Sequence, residues 1–566
     1  MRERRSTRPG IVATAVMLVV AACTGGDGEN GGAGPMQPPT ATDASANPAT
    51  CTEPTESPRD AATATRAPDT GPPPVGSVAV SAGHPAAVEA GMAALGEGGT
   101  AVDAAVAAAF VMGVVEPFSS GLGGGGAVLV QKPGERPQAY EYTEVVAQDG
   151  HLPASDTGIP GFVAGMERVH TDHGELGWRR LVNPAIELAD DGVPTTEILA
   201  DQLRSGAHRL PVGELEQLFP GGVPLSTGDT LLQPELADSL RAVAEGGAPA
   251  FYEDALGGRL TEVDGIDAGS LAAYEVATSR PPTGRVGPYR VLGAPLPLTG
   301  VTLIQLLQVA TALGAGEAEP GSAPFVDAVI TGWRHADEAL RTEVADPSFV
   351  DVPVARLTDA DRNAQLVGGE PLPEPAGSGG AGNTTHISVV DADGTAVSMT
   401  NTILNFWGSG QEIGGFFLND RLRRFEISEA SGTPQPGQRA PSYMSPTIVA
   451  DAQGRPVLVI GTPGGSRIPN LLAAVILRWG FAGQSLQAAV DGPRFHYEGG
   501  VLYTEQLPDG AAGQLAEQGY TVSEQPPWDY YFGSVQALEV DHDEGVIRGA
   551  EDDRRAGTFA VTDAGG

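Results

Sequence analysis

Apolar and polar positions first settle into a readable pattern near Gly76. Residues 78–81 read as a short strand, and helical spacing follows over 86–95 and 101–115. The second helix is apolar over much of its surface, which predicts a buried element, and at about 15 residues it is too short to span a bilayer. Next comes Ser119-Ser120-Gly121-Leu122-Gly123-Gly124-Gly125-Gly126, leading into an apolar strand at 127–131. Gly121, Gly123 and Gly126 satisfy G-x-G-x-x-G, but the run follows a helix and precedes a strand, the reverse of a dinucleotide-binding turn. Close backbone packing or the wall of a site accounts better for these glycines.

Between about 160 and 366, helical patterns at 178–191, 232–245 and 303–313 alternate with Gly/Pro breaks, and no repeat of fixed period is visible. A Gly/Pro/Glu stretch, 368–382, then interrupts the pattern just before a strand, as suits an accessible processing loop. From Thr384 to Thr402 the chain alternates and is β-branched on both sides of Asp393-Gly394, a strong hairpin signal. With Asp393 and Gly394 as the loop residues, Ala392 faces Thr395. Counting outward then brings Thr384 and Thr385 opposite Ile403 and Thr402.

The ends and the composition change the picture in three ways. Arg2, Arg4, Arg5 and Arg8 precede an apolar run, 11–22, too short to span a bilayer comfortably, so 1–22 reads as a signal peptide. Val20-Ala21-Ala22-Cys23 resembles a bacterial lipobox, which makes Cys23 the lipidation site; the alternative is an ordinary cleavable signal with an incidental cysteine. Residues 23–75 are Gly, Pro, Thr, Ser and Ala with almost no large apolar side chain, a disordered tether that cannot offset the entropy of ordering. Cys51, the other of the 2 cysteines, falls within it, so no disulfide framework is expected.

A formal charge of −38 on 566 residues argues against nucleic-acid partners and against basic-patch membrane binding. Lys132 is the single lysine, which removes Schiff-base and P-loop chemistry. No H-x-x-x-H or H-E-x-x-H pairing occurs, so no metal and no cofactor are expected.

A threonine hydroxyl needs a base beside it. If the Asn383-Thr384 bond were cut, the new α-amino group, with a pKa of about 7.7–8.0, would supply that base to Thr384 itself. The bland alternative is a Thr-rich strand without chemistry.

Several ordered motifs resemble the gamma-glutamyltransferase family of autoprocessing N-terminal-nucleophile hydrolases, over 76 to about 562. They are Thr384-Thr385-His386, Phe417-Leu418-Asn419, Met444-Ser445-Pro446-Thr447, Gly461-Thr462-Pro463-Gly464-Gly465-Ser466-Arg467 and Pro493-Arg494-Phe495-His496. Earlier in the chain Gly98-Gly99-Thr100-Ala101, the glycine run at 119–126 and Gly158-Ile159-Pro160-Gly161 match as well. The resemblance implies an α+β fold, a four-layer αββα sandwich built jointly from a large part, 76–383, and a small catalytic part, 384–566. It implies Thr384 as processing and catalytic nucleophile, Thr402 as its hydrogen-bonding partner, and Gly464 and Gly465 as the oxyanion hole. The substrate class it implies is a small peptide or amide; the signal peptide puts the work outside the cytoplasm, with the membrane reached only through the lipid expected on Cys23.

Departures from the family pattern concern the acyl group. Thr143 stands where an arginine clamps the substrate carboxylate, and Leu404 where an asparagine is usual, with Asn405 next door. Arg421 replaces a glutamine, Arg424 replaces the aspartate that binds the substrate ammonium, and of two serines Ser442 remains while Tyr443 replaces the second. An arginine cannot pair with an ammonium group. Three readings follow: a γ-glutamyl hydrolase or transferase of glutathione-like peptides, an acylase of the same mechanism with shifted acyl specificity, and a non-catalytic surface lipoprotein. In the second, a substrate carboxylate meets Arg421 or Arg424; alternatively both arginines are solvated or pair with acids such as Asp420. The chain between Phe425 and Pro441 is short, which predicts an open cleft. His386 is expected to orient its strand; His496 has no readable role.

Overall fold

The computed structural model describes residues 76–367, 372, 374–375, 382–526 and 530–563. The signal peptide, Cys23 and the 23–75 tether lie outside the described residues, as does most of the 368–382 linker.

The alternating segment forms strands Gly382–Val390 and Ala396–Asn405, which become the middle of a seven-stranded antiparallel sheet. On one side lie Ser77–Ala82 and then Thr558–Asp563; on the other lie Gly125–Gln131, Gln138–Glu141 and Ala277–Ser279. Strands from before and after the Asn383–Thr384 bond therefore interleave in one sheet. A second antiparallel sheet runs Val546–Ala550, Gln536–Asp541, Pro456–Gly461, Thr447–Ala450, Tyr289–Leu292, Thr283–Val286.

Period-2 alternation divides the hairpin between two cores. Ile387, Val389, Val397 and Met399 face helices. Val390 and Ala396 face the second sheet, against Ile448, Val459 and Leu538. On that same face Ser388 Oγ donates to the Gln536 carbonyl (3.2 Å) and Ser398 Oγ to the Ile460 carbonyl (3.2 Å). Small hydroxyl residues let two backbones approach, and both of these hydroxyls keep a buried partner. Helices Pro85–Gly96, Ala101–Val115, Trp178–Asp191 and Pro234–Tyr252 cover the first sheet, and Gly300–Ala312, Ala323–Glu343 and Ile468–Gly480 cover the second. The result is the expected αββα order of layers.

Ala101–Val115 is the buried helix the pattern called for, apolar all round because it is enclosed all round. A capping box starts it: Thr100 Oγ1 accepts from Asp103 N–H (3.2 Å) and the Asp103 carboxylate from Thr100 N–H (2.9 Å). Its end delivers Glu116, Ser119 and Ser120 to the start of the Thr384 strand.

Candidate active site

The hairpin register differs by one from the alternation reading: Val390 pairs with Ala396 and Thr385 with Asn401. A β-bulge then intervenes, and Asn383 pairs with Leu404, so Thr384 faces two residues, Thr402 and Ile403. Thr402 and Thr384 share a face of the sheet, and the bulge leaves Leu404 at φ +83°. Thr384 Oγ1 lies 3.5 Å from Thr402 Oγ1. The Thr402 hydroxyl donates to the Asn383 carbonyl (2.5 Å) and accepts from Leu404 N–H (2.8 Å). Gly124 makes this possible, since a Cβ there would sit 2.3 Å from the Thr402 carbonyl oxygen. The glycine run is backbone packing around the hairpin.

Thr384 (4% exposed) opens on a cleft of about 230 Å³, counting its mouth, walled also by Thr402, Leu404, Arg424, Ser442, Tyr443, Met444, Gly465 and Ile468. Gly464 (φ +143°) and Gly465 (φ +59°) form the turn between the strand Pro456–Gly461 and the helix Ile468–Gly480, a path with little room for other residues. Behind it Ser466 Oγ donates to Glu498 (3.0 Å), whose carboxylate lies 3.4 Å from His496 Nε2. Asn470 Nδ2 donates to His496 Nδ1 (2.6 Å), which leaves the ring proton on Nε2, facing Glu498. Burial opposes ionisation of Glu498, yet His496, Arg467 and Ser466 together hold its carboxyl down at about 2. His496 thus supports the Gly465 turn from behind.

His386 is fully buried, its Nδ1 2.8 Å from Thr400 Oγ1 and its Nε2 3.1 Å from Ser388 Oγ, with the Gly461 backbone against the ring. Burial pushes the imidazole down to about 3, so it is a neutral strut between the sheets. Among the described residues no three His, Cys, Asp or Glu side chains gather as metal ligands would.

A family model described as Gamma-glutamyltranspeptidase matches residues 87–562. The chain belongs to that family. It is 34% identical over 488 residues to the capsule biosynthesis protein CapD proenzyme of Bacillus anthracis, covering 86% of this chain and 90% of that one. It is 29% identical over 540 residues to the glutathione hydrolase proenzyme of Bacillus subtilis strain 168 (84% and 90%). To the acylase ACY 1 proenzyme of Pseudomonas sp. strain SE83 it is 32% identical over 526 residues (85% and 93%). This gamma-glutamyltranspeptidase relative is an enzyme of the hydrolase and transferase type.

Of the residues singled out for substrate binding, Arg424, Ser442 and Tyr443 stand in the cleft wall. Three others do not. Thr143 is buried with its N–H (3.0 Å) and hydroxyl both on Glu141, and its carbonyl accepts from Tyr274 OH (2.8 Å). Asn405 gives its backbone N–H (3.1 Å) and side-chain amide (2.6 Å) to Asp420, because the bulge ends before it. Arg421 is fully buried, its Nη2 on the Ala440 carbonyl (2.8 Å) and its Nε 3.9 Å from Glu144, a carboxyl that burial pushes up to about 7 despite the arginine.

Nor are Arg421 and Arg424 solvated; the arginine paired with Asp420 is Arg423, whose side chain is 48% exposed. Arg424 lies over the Tyr443 ring, 5.7 Å from its centroid, and its Nε has no hydrogen-bond partner among the described residues. None of residues 426–441 walls the cleft.

No local pattern marks Arg555 as a functional residue. It falls in the run Glu551-Asp552-Asp553-Arg554-Arg555, which has the look of a solvated turn, yet it is 8% exposed and donates to Asn383 Oδ1 (2.6 Å). Glu116, reached through Ser119, was equally hidden; burial raises its carboxyl above the usual range, with Arg555 and Ser119 pulling the other way.

Proposed function

We propose that the protein is a precursor that cleaves itself between Asn383 and Thr384, and that the freed Thr384 then transfers the acyl group of a γ-glutamyl-type amide to water or to an acceptor amine. One observation carries the reading: the Thr402 hydroxyl bridges the Asn383 carbonyl (2.5 Å) and the Thr384 hydroxyl (3.5 Å) at the head of a cleft that Gly465 also lines.

In processing, Thr384 Oγ1 bonds to the Asn383 carbonyl carbon, the C–N bond breaks, and the hydroxyl proton passes to the departing nitrogen. Thr402 polarises the carbonyl. Water then hydrolyses the ester, leaving a carboxylate on Asn383 and a free amine on Thr384. In turnover that amine takes the Thr384 hydroxyl proton as oxygen attacks the substrate carbonyl. The N–H groups of Gly464 and Gly465 hold the oxyanion, such donors being worth about 2.7–4 kcal/mol. The leaving amine takes the proton, and water or an acceptor amine releases the acyl group.

Arg424 sets the acyl class. Among the described residues that wall the cleft it is the charged side chain, and no carboxylate lines the cleft with it to hold a substrate ammonium. The acyl group therefore presents a carboxylate to Arg424, and the α-amino group is not a recognition element. This favours the second reading, an acylase of the same mechanism with shifted acyl specificity; we take the shift to be toward glutaryl-like groups, with γ-glutamyl groups still accepted through their carboxylate, and the name of the acylase ACY 1 relative agrees with it. Glutaryl, γ-glutamyl and butyryl anilides of one amine test it. Turnover of both carboxylate-bearing acyl groups and not of butyryl is expected; a strong γ-glutamyl preference removes the specificity shift. As part of the same proposal, the lipobox-like run ending at Cys23 supports work outside the cytoplasm, on a lipid anchor.

A further inference from the structure

The side chain of Asn383 is gripped at both ends. Its Oδ1 accepts from Arg555 Nη1–H (2.6 Å) and from the N–H of Thr384 (3.0 Å), and its Nδ2 donates to Ser119 Oγ. Ser119 Oγ in turn donates to Glu116 Oε2 (3.0 Å). A guanidinium has donors and no acceptor, so Arg555 fixes which end of the amide is oxygen. The amide dipole runs from a buried carboxyl, Glu116, to a buried guanidinium, Arg555.

These groups come from three distant places: the end of the helix Ala101–Val115, the start of the Thr384 strand, and the turn before the last strand, Thr558–Asp563. The turn is itself locked, by Arg494 on Asp552 (2.6 Å), Arg554 on Glu505 (2.5 Å) and the Val535 N–H on Asp552 (2.6 Å). Buried charges of this kind are tolerated only when all their partners are in place.

We infer that the Asn383 side chain is the handle by which the precursor aligns its own scissile bond, with Glu116–Ser119 and Arg555 as positioning residues, so that cleavage waits until the end of the chain has docked. The inference rests on the proposed attack of Thr384 Oγ1 on the Asn383 carbonyl. Glu116, Ser119, Arg555 and the side chain of Asn383 exchange no bond in that step; of these residues only the Asn383 carbonyl carbon does. Asn383, pinned at its side chain, keeps its carbonyl carbon in reach of Thr384 and its carbonyl oxygen on Thr402; misplacement by about 1 Å at such a point costs on the order of a hundredfold in rate.

The test follows cleavage of the full-length precursor, made by cell-free synthesis, on denaturing gels with intact mass. The variants are Arg555→Ala, Arg555→Lys, Asn383→Leu and Thr384→Ala. Arg555→Ala and Asn383→Leu are expected to slow cleavage by roughly tenfold to a hundredfold. Arg555→Lys recovers part of the rate, and low-millimolar guanidinium speeds Arg555→Ala without affecting the wild type. Wild-type rates in Arg555→Ala and Asn383→Leu overturn the inference. So does a slow Arg555→Ala that answers neither to lysine nor to guanidinium, which marks a folding role. If Arg555→Ala precipitates, Asn383→Leu decides, since it leaves the ion pairs of the turn intact. Thr384→Ala separates the two claims: its cleavage at the same bond brings down the nucleophile reading, whereas an intact Thr384→Ala beside a normally cleaved Asn383→Leu removes the handle alone.

Discussion

The Thr402 hydroxyl donates to the carbonyl oxygen of Asn383 at 2.5 Å, from the neighbouring strand and across a bulge of one extra residue. Thr402 stands opposite Thr384 in the register that runs in from the turn, on the same face of the sheet, and the extra residue shifts only the pairing beyond it, so that Asn383 faces Leu404.

Replacement of Thr402 by valine keeps the shape and removes the donor. Self-cleavage is expected to slow by about tenfold to a hundredfold, the equivalent of one lost hydrogen bond in the transition state. A cleavage time course checks it, with Thr402→Ser close to wild type.

Arg424→Met leaves a buried apolar side chain over Tyr443 and removes the cation. Glutaryl and γ-glutamyl anilides are then expected to lose about tenfold to a hundredfold in kcat/KM, as for a charge-assisted hydrogen bond. Acyl groups without a carboxylate lose nothing, and steady-state kinetics on the matured enzyme separates the two.

Glu498 acts on the Gly465 turn through Ser466. Glu498→Ala in matured enzyme is expected to lower kcat by about tenfold with KM little changed, since oxyanion donors act in the transition state and not in the ground state. Ser466→Ala reproduces the effect, and the double variant is no worse than either single one.

His386 gives the folded state a pH signature. The fold holds the imidazole neutral down to about 3, whereas the unfolded chain takes up a proton below about 6.5. The contribution is therefore complete above about pH 6.5 and is lost as pH falls from there toward 3, at about 1.4 kcal/mol per pH unit. His84, which burial pushes down to about 4, adds to the loss in the same window. Thermal melts of wild type and His386→Asn over that range are expected to show a shallower pH slope in the variant.

The layers and the hairpin were legible because both rest on local periodicity: the all-apolar 101–115 helix and the β-branched alternation around Asp393-Gly394. The register was not, since a bulge at Thr402 leaves no mark in an alternating pattern, and the count from the turn came out one residue off until the bulge restored it. Arg421, Arg423 and Arg424 lie within four positions, yet one is fully buried beside Glu144, one is half-exposed and one is in the cleft wall. Charge alone does not sort them; their surroundings come from strands far away in sequence. Arg555 and Glu116 meet at Asn383 only after both sheets have formed, so their roles were invisible in a run of acids and arginines.

The most direct test of the central claim is the intact mass, on a denaturing gel, of purified wild-type and Thr384→Ala protein. The account predicts two wild-type chains, the smaller beginning at Thr384, and a single uncut chain in the variant. A wild-type protein that remains one chain, or a Thr384→Ala protein cut at the same bond, would contradict it.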